Sequence, residues 1–185
     1  MDDVTAHHSR QEEIALVIEP DELFENDPER DAKLTRRRLA RERVLQVLYA
    51  RSMNGKSLDD MYLEFIVHDT LLDEPAKEFA AKLLRHFSAH EGHINDVIKH
   101  RLEKWDFSRV ALIDKILLEI GIAEFLYFPE IPPKATINEL IEIAKDFSTD
   151  ESGKFINGIL HRAKDELANA GELKKEGRGL IDHTV

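Results

Sequence analysis

Apolar residues recur with a helical period along most of this chain. Val44, Leu45 and Leu48 line one side of a segment that opens at a Thr35 cap and runs to about Met53, where Asn54-Gly55 is a stop signal. A second helix is predicted from about Leu58 to His68. A third is predicted from about Glu74 to Ala89, with Pro75 suited to its first turn, and a fourth from about Ile94 to Lys104. The fifth segment, RVALIDKILLEIGIAEFLYF, is apolar almost all round, and its only charges between Val110 and Phe128 are Asp114, Lys115, Glu119 and Glu124. A helix of that kind is the buried centre of a domain. Pro129 stops it and Pro132-Pro133 opens a sixth, whose Ile137, Leu140, Ile141 and Ala144 share a face. A seventh starts near Ser148 to Ser152 and buries Ile156, Ile159, Leu160 and Ala163. No segment alternates like a strand between hairpin turns. The pattern predicts an all-α fold of about seven helices.

Charge divides the chain further. Residues 1–33 hold 11 acidic side chains against 3 basic ones, whereas residues 34–54 hold 6 arginines against the single Glu42. The net charge of -11 therefore belongs largely to the leader, and a local basic stretch survives beside it. We expect residues 1–33 to be an acidic, disordered leader with a short apolar patch at 14–18, residues 34–170 to be the helical domain, and residues 171–185 to be a flexible tail. The chain has no cysteine, which excludes disulfides and thiol chemistry and fits a reducing compartment. No apolar run is long enough to span a membrane and the N-terminus does not read as a signal peptide, so a cytoplasmic location without membrane contact is expected.

The common catalytic motifs are missing. With 8 glycines in all, the chain has neither of the usual phosphate-binding loops, and no metalloprotease or nucleophile-elbow motif occurs. His86, His90 and His93 are spaced to share one helical face and could offer imidazoles to zinc. Gly92 interrupts that helix and no Glu-x-x-His pair accompanies them, so they read as bundle-surface residues. No catalytic residue, metal or cofactor is expected.

The stretch TRRRLARERVLQVLYA concentrates five arginines at a helix start. Arg37 and Arg41 are i, i+4 neighbours and Arg38 and Arg41 are i, i+3 neighbours, on the side where the core face ends. Positive charge there opposes the helix dipole by roughly 0.3–1 kcal/mol per charge, so folding alone does not reward it. A polyanion would, because guanidinium forks grip phosphates and stack on bases.

Three runs, RRRLARERVLQVLYA, W-DFSRVALIDKILLEIGIAEF and PPKATINELIEIAKDFSTDESGKFINGIL, together resemble the bacterial NusB family of transcription antitermination factors. The resemblance covers about residues 34–168. It implies two small packed helical bundles and no enzymatic activity. It further implies binding to boxA single-stranded RNA jointly with NusE, a small-subunit ribosomal protein, and assembly with NusA and NusG on RNA polymerase, chiefly in ribosomal RNA operons. Carried over by position, Arg37, Arg38, Arg41, Lys154 and Phe155 are the implied RNA contacts, and Tyr49 and Asp114 the implied NusE-facing residues. Asn157-Gly158 is expected to serve close helix packing.

One departure bears on function. Many relatives carry a basic residue where Glu119 stands, so an RNA contact from that position would be lost here. The alternative is a NusB-like protein-interaction module or homodimer with weak or no RNA binding, paired through the partner-facing surface. The same fold also stands at the front of RNA cytosine methyltransferases, but this chain has neither their cysteine nor room for their catalytic domain.

Overall fold

The computed structural model describes residues 28–183 except Lys56, residues 103–106 and Asp150, with side chains from Thr35 to Leu180. Among these residues there are six α-helices and no strand. They are α1 (Pro28–Asn54), α2 (Leu58–Tyr62), α3 (Glu74–Arg101), α4 (Leu112–Tyr127), α5 (Pro133–Phe147) and α6 (Ser152–Asn169). A π-helical turn, Leu63–Val67, continues α2, and 3₁₀ turns lie at Phe107–Arg109 and Gly177–His183. The all-α expectation holds. The expected leader lies, as far as residue 27, outside the described residues, and α1 begins seven residues before Thr35.

Helix ends follow local chemistry. Gly55 closes α1 in the left-handed region at φ 65°, where a glycine has no Cβ to clash. The Asp73 side chain accepts from the Ala76 N–H at 3.0 Å, with Pro75 in the first turn of α3, so the orphan donors of that end are partly satisfied. The third and fourth predicted helices are one helix. Phe87 before the join and Ile94 after it are both buried in the same core, and the bend is absorbed at His90 (φ -131°, ψ 19°) rather than at a break. Gly92 lowers helix propensity but still supplies its backbone hydrogen bonds, so it does not end the helix.

α4 is the centre. Every residue from Ile116 to Phe125 is buried, and the helix touches α1, α3, α5 and α6. α1, α2 and α3 form one packed group and α5 and α6 the other, with α4 between them. Each fully buried Leu, Ile or Phe contributes about 1.5–3 kcal/mol. Among the described residues no helix is long and apolar enough to cross a membrane.

Two expectations change. Gly158 does not mediate close packing, since a Cβ built there would meet nothing within 4 Å. The close approach is at Gly121, where a Cβ would lie 2.8 Å from Leu160 Cδ2 and 3.0 Å from Leu140 Cδ1. The C-terminal segment, expected to be a flexible tail, is docked as far as Gly179. Glu176 N–H donates to Pro129 O at 2.9 Å, and the Lys175 ammonium donates to the carbonyls of Glu124 (3.2 Å) and Phe128 (2.9 Å) at the end of α4. Each of those carbonyls also accepts one backbone N–H, Glu124 O from Phe128 at 3.2 Å and Phe128 O from Ile131 at 3.1 Å, so the ammonium takes their second lone pairs, and a buried cation there also suits the helix dipole. Glycine composition suggested fraying, but Gly179 is where the chain needs the least bulk: a Cβ would come within 2.0 Å of Pro129 O.

Gly158→Ala should therefore stabilise the protein by about 0.5–1 kcal/mol through helix propensity, while Gly121→Val should destabilise it by about 1–3 kcal/mol through overpacking. Urea denaturation of the two variants checks both signs.

Candidate RNA and partner interface

The arginines of α1 do not form one surface. Arg41 is 2% exposed, and its Nε and Nη2 donate to the two carboxylate oxygens of Glu124 on α4 at 2.6 and 2.9 Å. Glu124 also accepts from Thr136 Oγ1 of α5 at 2.7 Å. Burial works against the charge of this guanidinium, but attraction to Glu124 and the hydrogen bonds between them outweigh it and hold its pKa above the ordinary value. Arg38 makes a second fork, with Nε and Nη2 both 2.9 Å from the carboxylate of Glu139 on α5, and keeps 39% of its side chain exposed. The Arg41 Nη1 sits 3.9 Å from the same Glu139. Arg36 pairs with Asp73 at 2.9 Å, and Arg43 pairs with Asp69.

Arg37 differs from the other four. Among the described residues no carboxylate forms an ion pair with it. Its guanidinium lies 5.5 Å from the centroid of the Phe79 ring, which Arg41 also approaches at 5.3 Å. Burial, then the charge of Arg41, holds its pKa below the ordinary arginine value. A half-buried cation beside other cations is a ready donor to the oxygens of an incoming phosphate.

The family-implied positions therefore separate. Arg41 is a structural brace rather than a surface contact, because every N–H it could offer lies inside the bundle. Lys154, at the start of α6, is exposed and 3.7 Å from Glu151. Phe155 is partly buried and packs against the core. The buried Asp114 accepts from Ser148 Oγ at 2.6 Å and Ser152 Oγ at 2.9 Å. It braces the turn that launches α6 and so positions Lys154 and Phe155, and it presents little surface to a partner. Asp114 and Glu124 stand ten residues apart on α4, so the two groups of implied contacts are separated by about 15 Å along that helix. Tyr49 is exposed, as is Met53 one turn further along α1, and this pair gives that helix end an apolar surface.

The histidines do not converge on a metal. The rings of His86 and His90 stack on Tyr127 at 4.9 and 4.5 Å, whereas His93 Nε2 lies 3.8 Å from Glu172. Among the described residues no group of three potential ligands could hold an ion. Glu119 is not at the surface either. It is buried beside Lys115, whose Nζ is 3.6 Å away, and burial pushes its pKa up to about 7.

This chain carries the profile of a known family over residues 38–165. It belongs to the NusB family. It is 42% identical over 146 residues to the transcription antitermination protein NusB of Chloroherpeton thalassium, a match taking in 79% of this chain and 69% of that one. The solved structure of NusB from T. maritima superposes with a TM-score of 0.66 at 36% identity, covering 70% of this chain and 91% of that one. The crystal structure of the antitermination factors NusB and NusE in complex with dsRNA holds a chain of the same fold. That chain matches with a TM-score of 0.65 at 23% identity, covering 71% of this chain and 98% of its own length. Transcription antitermination is the family's function. Arg38, Arg41, Tyr49, Asp114, Lys154 and Phe155 lie inside the matched region; Arg37 precedes it by one residue and the docked C-terminal segment follows it.

Arg41→Ala should cost about 3–5 kcal/mol because it strands the buried Glu124 carboxylate, whereas Arg37→Ala should leave the melting temperature nearly unchanged; thermal melts of the two decide it. Glu119 takes up a proton on folding, so its contribution falls as pH rises from about 4.5, the unfolded value, through about 7. Glu119→Gln should accordingly raise stability at pH 8 by about 1–3 kcal/mol and leave it little changed at pH 4, as measured by urea titrations at both pH values.

Proposed function

We propose that this protein is a non-catalytic adaptor that binds boxA-type single-stranded RNA together with NusE and joins NusA and NusG on RNA polymerase, chiefly during ribosomal RNA transcription. The observation that carries it is Arg37: a half-buried guanidinium without a carboxylate partner among the described residues, held beside Arg38. Arg38 is oriented by Glu139 and still partly exposed, so the two offer a phosphate a prearranged pair of donors. Arg41 contributes from beneath by fixing α1 against α4. Lys154 and the edge of Phe155 extend the contact at the far end of α4, a distance that an extended single strand can bridge. A cation beside a ring suits a phosphate with an unstacked base.

Tyr49, with Met53, is the proposed NusE-facing surface, where an aromatic side chain gives contact area and one hydroxyl. Asp114, buried at the start of α4, contributes by shaping the α5–α6 turn that carries Lys154 and Phe155. The family relationship supports the partner assignment, since antitermination factor NusB has been crystallised with NusE and dsRNA. RNA affinity from a few arginines is modest; a partner that extends the surface and tethers it to polymerase raises it through effective concentration.

Binding of a labelled boxA-type RNA to the protein, alone and with its own NusE, across a salt series tests this. Synergy with NusE is expected, with log affinity falling linearly against log salt, and Arg37→Ala should weaken RNA binding without loss of NusE binding. A folded protein that binds no RNA in either condition overturns the assignment and leaves a protein-interaction module.

A further inference from the structure

The docked C-terminal segment ends beside the arginines. Beyond the end of α6 at Asn169 the chain buries Lys175 under the end of α4, hydrogen-bonds to Pro129 through Glu176, and passes so close to Pro129 O that only glycine fits at position 179. Lys175 meets the backbone of Glu124, whose carboxylate holds Arg41. Arg41 and Arg37 share the ring of Phe79, and Phe79 meets Phe128 edge-on at 5.3 Å. Lys82 lies over the same Phe128 ring at 4.4 Å and 3.7 Å from Glu130. The segment thus joins a cationic region built by α1, α3 and the α4–α5 turn, with Glu130 and Glu176 as its acidic neighbours.

We propose that residues 172–180 form a strap that completes the RNA-binding surface, presenting the exposed Arg178 next to Arg37 as a further contact to the phosphodiester backbone of single-stranded RNA. This inference rests on the RNA-binding function proposed above and adds to it a residue outside the family-matched region. Burial and then Arg41 disfavour the charge of Arg37, Glu124 and Glu130 favour it, and Arg178 adds a smaller repulsion of the same sign as Arg41. Two arginines held within electrostatic reach by a docked backbone repel each other, and a phosphate between them relieves the repulsion. Lys175 and Gly179 are the positioning residues: one anchors the strap and the other lets it lie flat.

The test is the salt dependence of binding of a labelled boxA-type single-stranded RNA, with NusE in fixed excess, for wild type, Arg178→Gln, Arg178→Lys and Gly179→Ala. Arg178→Gln should weaken binding about three- to fivefold near 0.15 M salt and flatten the slope of log affinity against log salt by about 0.7, the contribution of one phosphate contact to a single strand. Its melting temperature should not change. Arg178→Lys should keep most of the slope. Gly179→Ala retains every charge but displaces the strap, and should lose the same part of the slope. Wild-type affinity and slope in Arg178→Gln, in a protein that binds RNA, would overturn the strap proposal and leave the function intact. A wild-type protein without salt-dependent RNA binding would overturn both.

Discussion

Arg41 and Glu124 lie 83 residues apart in sequence and meet through two hydrogen bonds inside the bundle. Their pairing sets the height of α1 against α4, and Thr136 locks the start of α5 to the same carboxylate. Taking two charges out of water costs several kcal/mol per ion, so a pair of this kind specifies geometry more than it adds net stability. The geometry specified here is that of the surface above it. Arg37 and Arg38 are held one turn before Arg41, and Lys175 caps the backbone of Glu124 from the other side.

α4 distributes these roles along its length. At its start, Asp114 gathers Ser148 and Ser152 and thereby fixes how α6 begins. At its end, Glu124 and the carbonyls of Glu124 and Phe128 hold α1, α5 and the C-terminal strap. In between, the helix is closed off by aliphatic neighbours and by Gly121, which lets Leu160 and Leu140 approach its backbone. An almost wholly apolar helix thus carries, in Asp114 and Glu124, polar groups at the points where other elements must be held in register, whereas Glu119 pairs within the helix with Lys115.

The helices, the central place of α4 and the stop at Gly55 were legible from periodicity and end signals, because those depend on neighbouring residues. The fate of the arginines was not. A helical wheel places Arg37, Arg38 and Arg41 together, but which of them is buried depends on Glu124 and Glu139, far away in sequence. One sign was available: a glutamate in the middle of an apolar helix needs a buried cation or donor. The docking of the C-terminal segment had no such sign, since Lys175 sits among charged residues and glycines and its partners are backbone carbonyls. Gly158 and Gly121 show the same limit, because propensity weighs them alike and only the neighbours packed in three dimensions tell them apart.

Glu119 gives this fold a thermochemical signature. Near neutral pH the folded protein holds part of a proton that the unfolded chain releases. Heat unfolding at pH 7 is therefore also a protonation reaction of the solvent, and the enthalpy a calorimeter records will differ between phosphate and Tris by the heat with which each buffer takes up that proton.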